Sequence, residues 1–374
     1  MAMFSMFFGS GNIIFPVLTG QMTPDQFAPA ITGLLLTAVL VPFLGLLALS
    51  LFDGDYLRFF SRLGRAPGWL IVLMIMGLIG PFAVIPRCII LSYGSLKTLS
   101  QDLNLTVFSA ASCLLIFLCT FRQQRILDIL GLALTPILLL SLATIIWQGL
   151  LVPADSSSSD YTSWEALLFG LSEGYNTMDL FASFMFSSVV LSGIRKSSPS
   201  ITSKPAELSK VYLKASFTGM GLLAAIYTGM CYVAGRHSNG LQGVSADQLL
   251  SHLTMKILGP YAGIVVCLAV SLACLTTAIS LAQVFTEFVS RDVLKEKVSY
   301  PHALIGTLVI SFCMSTLEFA GIQGILAPIL KLTLPALMVL TGLNLLHRFS
   351  GFRSVKIPVF ITLCLTLLWR VFNP

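Results

Sequence analysis

The sequence predicts an all-α integral membrane protein in which two of the membrane helices are broken near their middle. Three observations predict it: the composition, the number of apolar segments, and matching polar interruptions in two of those segments. The 374 residues are 56% hydrophobic and 10% charged, with a mean hydropathy of +0.90. A soluble domain carries roughly 25% charged residues. We therefore expect a single transmembrane domain over residues 1–374.

The apolar segments set the expected number of membrane helices. A bilayer core about 30 Å thick takes around 20 apolar residues per helix. Residues 241–258 are too polar to span it and are expected to form a loop helix. The measure predicts about eleven transmembrane helices, at residues 1–20, 28–52, 68–96, 106–121, 126–152, 166–194, 210–235, 260–289, 302–317, 322–346 and 357–372.

The basic residues support this segmentation. If the N-terminus is cytoplasmic, 16 of the 22 Lys and Arg lie in or beside inside loops and four beside outside loops. Cationic residues accumulate on the cytoplasmic side of membrane proteins. We therefore expect a multi-pass protein of the cell (inner) membrane with a cytoplasmic N-terminus. The same bias accounts for the net charge of +6, so that a nucleic-acid partner is not expected.

The first ten helices divide into two repeats of five, about 1–152 and about 166–346, followed by an extra helix at about 357–372. Because five is an odd number, the two repeats would cross the membrane in opposite directions. This is the inverted-repeat arrangement of LeuT-type transporters, in which discontinuous helices carry the substrate site. Both interrupted segments begin a repeat, which predicts a LeuT-like 5+5 fold with broken helices 1 and 6.

The first interruption consists of Gly9, Ser10, Gly11 and Asn12. Glycine allows the backbone to leave helical geometry, and a helix restarting near Asn12 would offer N–H groups and a positive dipole end to a substrate carboxylate. Carbonyls of the half-helix ending near Phe8 would suit an ammonium or sodium ion. The alternative is a glycine motif that packs two helices closely.

The second interruption places two carboxylates in the middle of a segment, where charge costs about 2.5–3.5 kcal/mol and usually serves function. Glu173 is expected to receive a substrate ammonium or a coupling cation, and Asp179 to structure the turn or cap the next half-helix. A salt bridge from either one to Arg87 is the alternative. The interruption comprises Ser172, Glu173, Gly174, Tyr175, Asn176, Thr177, Met178 and Asp179.

Three further polar positions lie inside apolar segments. Arg87 follows Pro81 and Pro86, which should bend the third segment, and it is interpreted as a gate or as a structural partner of the carboxylates. Thr276 and Thr277 offer two adjacent hydroxyls that could bind sodium or could bond back to the preceding turn.

Lys331 is assigned to gating or to snorkelling. The eight Cys include no C-x-x-C pair and the four His show no metal-ligand spacing. We therefore expect neither an enzyme nor a resident cofactor.

Four stretches together resemble a known family. They are FSMFFGSGNIIFP at 4–16, GPFAVIPR at 80–87, EGYNTMD at 173–179 and LACLTTAI at 272–279. In this order they resemble the signatures of the bacterial branched-chain amino-acid carriers, the LIVCS cation symporters, along nearly the whole chain. The resemblance implies import of leucine, isoleucine and valine with Na⁺, or with H⁺, by alternating access on a LeuT-like fold.

The resemblance also implies where the ligands would bind. The cation would lie between carbonyls near Ser5 and Phe8, the carbonyl of Ala273 and the hydroxyls of Thr276 and Thr277. The amino acid would lie between residues 9–12 and residues 172–177.

The sequence departs from the family at both ends. Only eight residues precede Gly9, so that either the start is assigned too late or the inner gate is reduced. The usual twelfth helix is also not expected, which affects oligomer contacts more than transport. A carrier of the same fold for another small amino acid or amine, and a membrane sensor that does not transport, remain as alternatives. The oligomeric state stays open.

Overall fold

The computed structural model describes residues 7–99, 102–121, 126–197, 205–350 and 355–372. Their regular structure is entirely helical. The helices are α1 (Ser10–Met22), α2 (Phe27–Ser50), α3 (Tyr56–Ser61), α4 (Arg65–Gly77), α5 (Val84–Lys97), α6 (Leu105–Phe121), α7 (Ile126–Leu151), α8 (Ser163–Asn176), α9 (Asp179–Ser197), α10 (Pro205–Arg236), α11 (Leu249–Phe288), α12 (Tyr300–Ser315), α13 (Glu318–Ser350) and α14 (Lys356–Phe372).

Several of these helices have the length and composition of membrane spans. Within the described ranges, six spans qualify: Phe27–Ser50, Arg65–Lys97, Ser163–Arg195, Glu207–Arg236, Leu249–Val293 and Glu318–His347. Shorter apolar helices accompany them, and large apolar side chains such as Trp147 and Phe217 are exposed on the outer surface. Large exposed apolar side chains in such number mark a surface that contacts a membrane or another protein. The prediction of an all-α, multi-pass membrane protein is confirmed.

Helix α2 packs closely along α8 because glycines remove the side chains between them. A Cβ on Gly33 would lie 2.2 Å from the Leu167 carbonyl oxygen, and one on Gly170 would lie 2.0 Å from that of Ala30. Helix α1 meets α10 in the same way at Gly20, where a Cβ would lie 1.9 Å from the Cys231 carbonyl oxygen. Small residues allow helix backbones to approach each other within a membrane.

A second set of contacts joins α5 to α11 and α6 to α12. The Ser92 hydroxyl donates to the Ser271 carbonyl at 3.1 Å, and this bond ties α5 to α11. Packing is therefore dense within α1, α2, α8 and α10 and within α5, α6, α11 and α12. These two helix groups meet around the interrupted segments.

Helices are interrupted at the predicted places. α1 begins after an extended Gly9 (φ −117°, ψ −167°), and α4 and α5 are separated by a turn in which Gly80 is non-helical (φ −86°, ψ −122°). The predicted bend before Arg87 is therefore confirmed. Residues 249–258 form the start of α11, which is kinked at Gly259 with φ 76°.

The interruption between α8 and α9 is shorter than predicted. Residues 172–176 stay helical, and only Thr177 and Met178 separate the two helices. The reason lies at Gly174, whose Cβ would be 1.9 Å from the Thr37 hydroxyl oxygen of α2. This glycine allows close helix packing, whereas the turn itself is made by Met178 with φ 63°. A left-handed conformation is uncommon for a residue with a bulky side chain.

Candidate functional site

The three interruptions lie around one internal cavity, together with part of α11. The cavity contains about 470 Å³ of space between atoms, part of it open to the outside, but only about 50 Å³ can take the centre of a water molecule. Its lining contains polar residues and glycines, namely Gly9, Ser10, Gly11, Asn12, Arg87, Thr177, Asp179 and Thr277, and apolar residues, namely Phe7, Ile79, Val84, Met178, Ala182, Phe186 and Leu281. The walls are close together in this conformation.

Asn12 connects the first interruption to the second. Its Nδ2 lies 2.9 Å from both carboxylate oxygens of Asp179 and also contacts the Tyr227 hydroxyl. The Tyr227 hydroxyl in turn donates to Asp179 Oδ2 at 2.9 Å. On its other side, Asn12 Oδ1 accepts from the Gly9 backbone N–H at 3.2 Å. One amide side chain therefore caps α1 and binds the first residue of α9.

The backbones of the two interruptions also touch. A Cβ on Gly11 would lie 3.2 Å from both Cα and the carbonyl oxygen of Thr177, so that the absence of a side chain permits this approach. The Thr177 hydroxyl donates to the Gly174 carbonyl at 2.8 Å and accepts from the Asp179 N–H at 3.4 Å. The hydroxyl thus takes over backbone partners that the broken helix leaves without a bond, as a helix terminus requires.

Arg87 lies in the first turn of α5 with 1% of its surface exposed. Its Nη1 donates to the Asn176 carbonyl at 2.9 Å, and its Nη2 contacts Gln323 Oε1. Its Cζ lies 5.4 Å from the ring centre of Phe15 and 5.8 Å from that of Phe319, distances at which cation–π attraction is significant. Among the described residues, the groups in direct contact with the guanidinium are therefore neutral.

The alternative of a salt bridge between Arg87 and either carboxylate is not realised in the described part of the chain. Asp179 is bound by Asn12 and Tyr227, and Glu173 Oε2 accepts from Asn176 Nδ2 at 3.2 Å. Since neutral amides and a hydroxyl take the carboxylate oxygens, neither Glu173 nor Asp179 pairs with the arginine.

The predicted substrate residues divide into two groups. Gly9, Ser10, Gly11, Asn12 and Thr177 line the cavity. Residues 172–176 lie on α8 outside its lining, with Glu173 and Asn176 buried and Ser172 and Tyr175 half-buried.

The hydroxyls of Thr276 and Thr277 make the bond back to the preceding turn that the sequence left as the alternative to sodium binding. Each donates to the Ala273 carbonyl oxygen at 2.9 Å, and Thr277 lines the cavity. Phe8 is buried near the same place, whereas Ser5 lies outside the described residues. Within the described ranges, no group of three or more His, Cys, Asp or Glu side chains could hold a metal ion. Any cation here would bind to hydroxyl and carbonyl oxygens.

Lys331 does not belong to this site. It lies on α13 with an exposed side chain and does not contribute to the cavity lining. Its position is compatible with the predicted snorkelling of a lysine that keeps its ammonium at a polar surface.

Four residues that bind or flank the buried charged groups were not singled out from the sequence. Tyr227 binds Asp179, Gln323 binds Arg87, and Phe15 and Phe319 flank the guanidinium. For the tyrosine and the glutamine the usable signal was a polar group inside an apolar segment. The two phenylalanines carried no signal, since aromatic residues are common throughout such segments.

A polytopic helical membrane protein with a polar internal cavity between interrupted helices has the architecture of a membrane transporter. The chain belongs to the family of branched-chain amino acid transport proteins, whose profile matches residues 1–373. It is therefore a branched-chain amino acid transporter and not an enzyme.

Related proteins carry the same description. A branched-chain amino acid carrier protein of Staphylococcus epidermidis is 28% identical, over 96% of this chain and 84% of its own length. Similar carriers of Staphylococcus haemolyticus and Staphylococcus aureus are 27% and 26% identical, each over 98% of this chain and over 86% and 85% of their own lengths.

Proposed function

We propose that this protein imports leucine, isoleucine and valine across the cell (inner) membrane, coupled to sodium, by alternating access. The observation that carries the proposal is the bond between Asn12 and Asp179 beside the cavity. It joins the start of α1 to the start of α9, which are the interrupted elements of the two proposed repeats. A transporter places its substrate at such a junction because irregular backbone offers unpaired polar groups there.

The proposed fold is a LeuT-like 5+5 inverted repeat of about eleven membrane helices with a cytoplasmic N-terminus. The packing supports a division into two moving parts. Helix α2 packs along α8 and α1 along α10, whereas α5 packs along α11 and α6 along α12. In the proposed cycle the first group rocks against the second and exposes the cavity to one side of the membrane at a time.

The narrowness of the cavity supports a cycle in which the walls must separate. Ligand pockets commonly measure 300–1,000 Å³, whereas only about 50 Å³ of this cavity can take the centre of a water molecule. An amino acid would therefore enter only when the two helix groups move apart.

Sodium is the proposed coupling ion because the oxygen cluster on α11 is uncharged and compact. The hydroxyl oxygens of Thr276 and Thr277 each lie 2.9 Å from the Ala273 carbonyl oxygen. Carbonyls near Phe8 at the start of α1 would complete the site. A cation bound there would order the first interruption and lower the cost of binding the amino acid, and this coupling is reciprocal.

Uptake by purified protein in proteoliposomes tests the proposal. Labelled leucine should accumulate under an inward sodium gradient, and unlabelled isoleucine and valine should compete for it. Uptake that does not depend on sodium but depends on an imposed pH gradient would show that protons, and not sodium, are the coupling ion. If other small amino acids or amines compete with labelled leucine but isoleucine and valine do not, the proposed substrate class is wrong. If the protein binds its ligand without flux, it is a sensor and not a transporter.

A further inference from the structure

Arg87 carries a buried positive charge that forms no salt bridge among the described residues. The side chain is 1% exposed, and its bonds go to the Asn176 carbonyl and the Gln323 amide oxygen. A guanidinium has five N–H donors, and Nε has no hydrogen-bond partner among the described residues. Burying a charge is costly, and neutral partners offset only part of that cost. The site is therefore prepared for an anionic group.

Asp179 is a buried carboxylate whose hydrogen-bond partners are neutral, as those of the buried Arg87 are. Its side chain is 2% exposed, and the groups that bind its oxygens are the Asn12 amide and the Tyr227 hydroxyl, both neutral. No ion pair to Asp179 exists in the described part of the chain. A buried carboxylate held only by neutral donors still favours a nearby cation.

The two charges line the same cavity without pairing with each other. The backbone carbonyl of Asn176, close to Asp179 in the sequence, accepts a hydrogen bond from Arg87 Nη1. The lining also includes apolar residues, Ile79 and Leu281 among them. The cavity therefore offers one fixed positive group, one fixed negative group and an apolar surface.

We propose that Arg87 binds the carboxylate of the transported amino acid and that Asp179 provides the counter-charge for its ammonium. The inference deepens the proposed function and depends on it. A zwitterion with an apolar side chain satisfies all three parts of the lining at once. The first-turn N–H groups of α1 beside Ser10, which lines the cavity, would support the same carboxylate.

This assignment moves the ammonium away from Glu173. That carboxylate is bound by Asn176 Nδ2 and lies outside the cavity lining. Asp179 lines the cavity and is held in place by two other helices. Charge recognition of the substrate is thus shared between α5 and α9.

Competition binding with charge-deleted leucine analogues tests the proposal on the purified full chain. Leucinamide keeps the ammonium and loses the carboxylate, whereas 4-methylpentanoate keeps the carboxylate and loses the ammonium. Against labelled leucine, each should bind wild-type protein at least about 30-fold more weakly than leucine, since removing one partner of a buried charge pair has at least this effect.

Substitutions at Arg87 and Asp179 should separate the contributions of the two charges to leucine binding. In Arg87→Gln, the preference for leucine over leucinamide should fall below about 3-fold, while the preference over 4-methylpentanoate persists. Asp179→Asn should give the reverse pattern. Arg62→Gln is the matched control because Arg62 is half-buried, contacts Asn344 and lies outside the cavity. It should keep both preferences.

An Arg87→Gln protein that still prefers leucine over leucinamide by 30-fold would overturn the proposal. If that variant fails to fold, Arg87→Lys decides, because lysine keeps the charge but loses the planar fork. Its preference over leucinamide should lie below that of wild type, and an unchanged preference would remove Arg87 from the site.

Binding to the wild-type protein tests the proposed function separately from the proposed roles of Arg87 and Asp179. Wild-type protein that binds none of leucine, isoleucine and valine would overturn the proposed function. A panel of other labelled α-amino acids would then supply the ligand for the same competition with its amide and its deaminated analogue. If no α-amino acid binds, the charge-recognition proposal is overturned as well.

Discussion

Asn12 and Asp179 are 167 residues apart in the chain, yet the amide nitrogen of Asn12 lies 2.9 Å from both carboxylate oxygens of Asp179. Both side chains are at least 97% buried. The bond holds two helix starts together beside the cavity. It therefore links local backbone geometry at one interruption to that at the other.

Asn12→Ala should destabilise the protein and impair transport together. The change removes the donor to a buried carboxylate and the cap on the Gly9 N–H. Hydrogen bonds to charged groups contribute roughly 1.5–3 kcal/mol, so that we expect a loss of about 3 kcal/mol. Thermal unfolding in detergent would measure stability, and leucine uptake would measure function.

Asn344→Ala is the control for this variant. Asn344 is 1% exposed and accepts a hydrogen bond from Arg62, away from the cavity. It should lower the unfolding temperature but preserve the affinity for leucine. If Asn12→Ala kept wild-type leucine affinity as well, the Asn12–Asp179 bond would be purely structural.

Tyr227→Phe should weaken leucine binding by about tenfold, because it removes one donor to the Asp179 carboxylate, worth roughly 1.5 kcal/mol. Tyr212→Phe offers a matched control on the same helix. Tyr212 is also buried, and its hydroxyl bonds to Ser187 and to the Leu46 carbonyl, outside the cavity. Equilibrium binding of labelled leucine would compare the two. Equal effects of both substitutions would contradict a role for Tyr227 at the site.

The positions of the helix interruptions were predictable because glycines and polar residues are conspicuous inside apolar segments. Gly9–Asn12 and the bend before Arg87 show this. The extent of the second interruption was not predictable. Gly174 carries the same local signal as Gly11, but the first allows α8 to pack against Thr37 and the second allows two interruptions to touch. Only the three-dimensional partner distinguishes these uses of glycine.

The hydrogen-bond partners of the charged groups could likewise not be predicted from the sequence. Arg87, Glu173 and Asp179 were identified as buried charges from their place in apolar segments. The alternative of a salt bridge between them is not realised among the described residues, where Asn12, Asn176, Tyr227 and Gln323 bind them instead. A neutral hydrogen-bonding side chain costs little in a membrane helix, so that its presence gives only a weak signal before the packing is known.

Thr277→Val should raise the sodium concentration needed for half-maximal uptake by about tenfold or more, because it removes a hydroxyl oxygen at the cavity while keeping the side-chain shape. Thr307→Val is the matched control. The Thr307 hydroxyl makes the same bond, 2.9 Å to the carbonyl four residues earlier, but on α12 outside the cavity. Sodium titration of leucine uptake would measure both. An unchanged sodium requirement in Thr277→Val would remove this residue from the cation site.

Gly20→Ala should destabilise the junction of α1 and α10. The new Cβ would lie 1.9 Å from the Cys231 carbonyl oxygen and 3.0 Å from Ala234 Cβ, so that the helices must move apart. Overpacking of this kind typically costs 1–3 kcal/mol, and we expect a value of about 3 kcal/mol because the obstacle is backbone. Gly221→Ala on α10 is the control, since nothing lies within 4 Å of its added Cβ. Alanine favours a helix over glycine by roughly 0.5–1 kcal/mol, so that Gly221→Ala should unfold in detergent at or above the wild-type temperature. A Gly20→Ala protein that unfolds at the wild-type temperature would show that α1 and α10 can separate freely, and the proposed grouping of these helices would then be wrong.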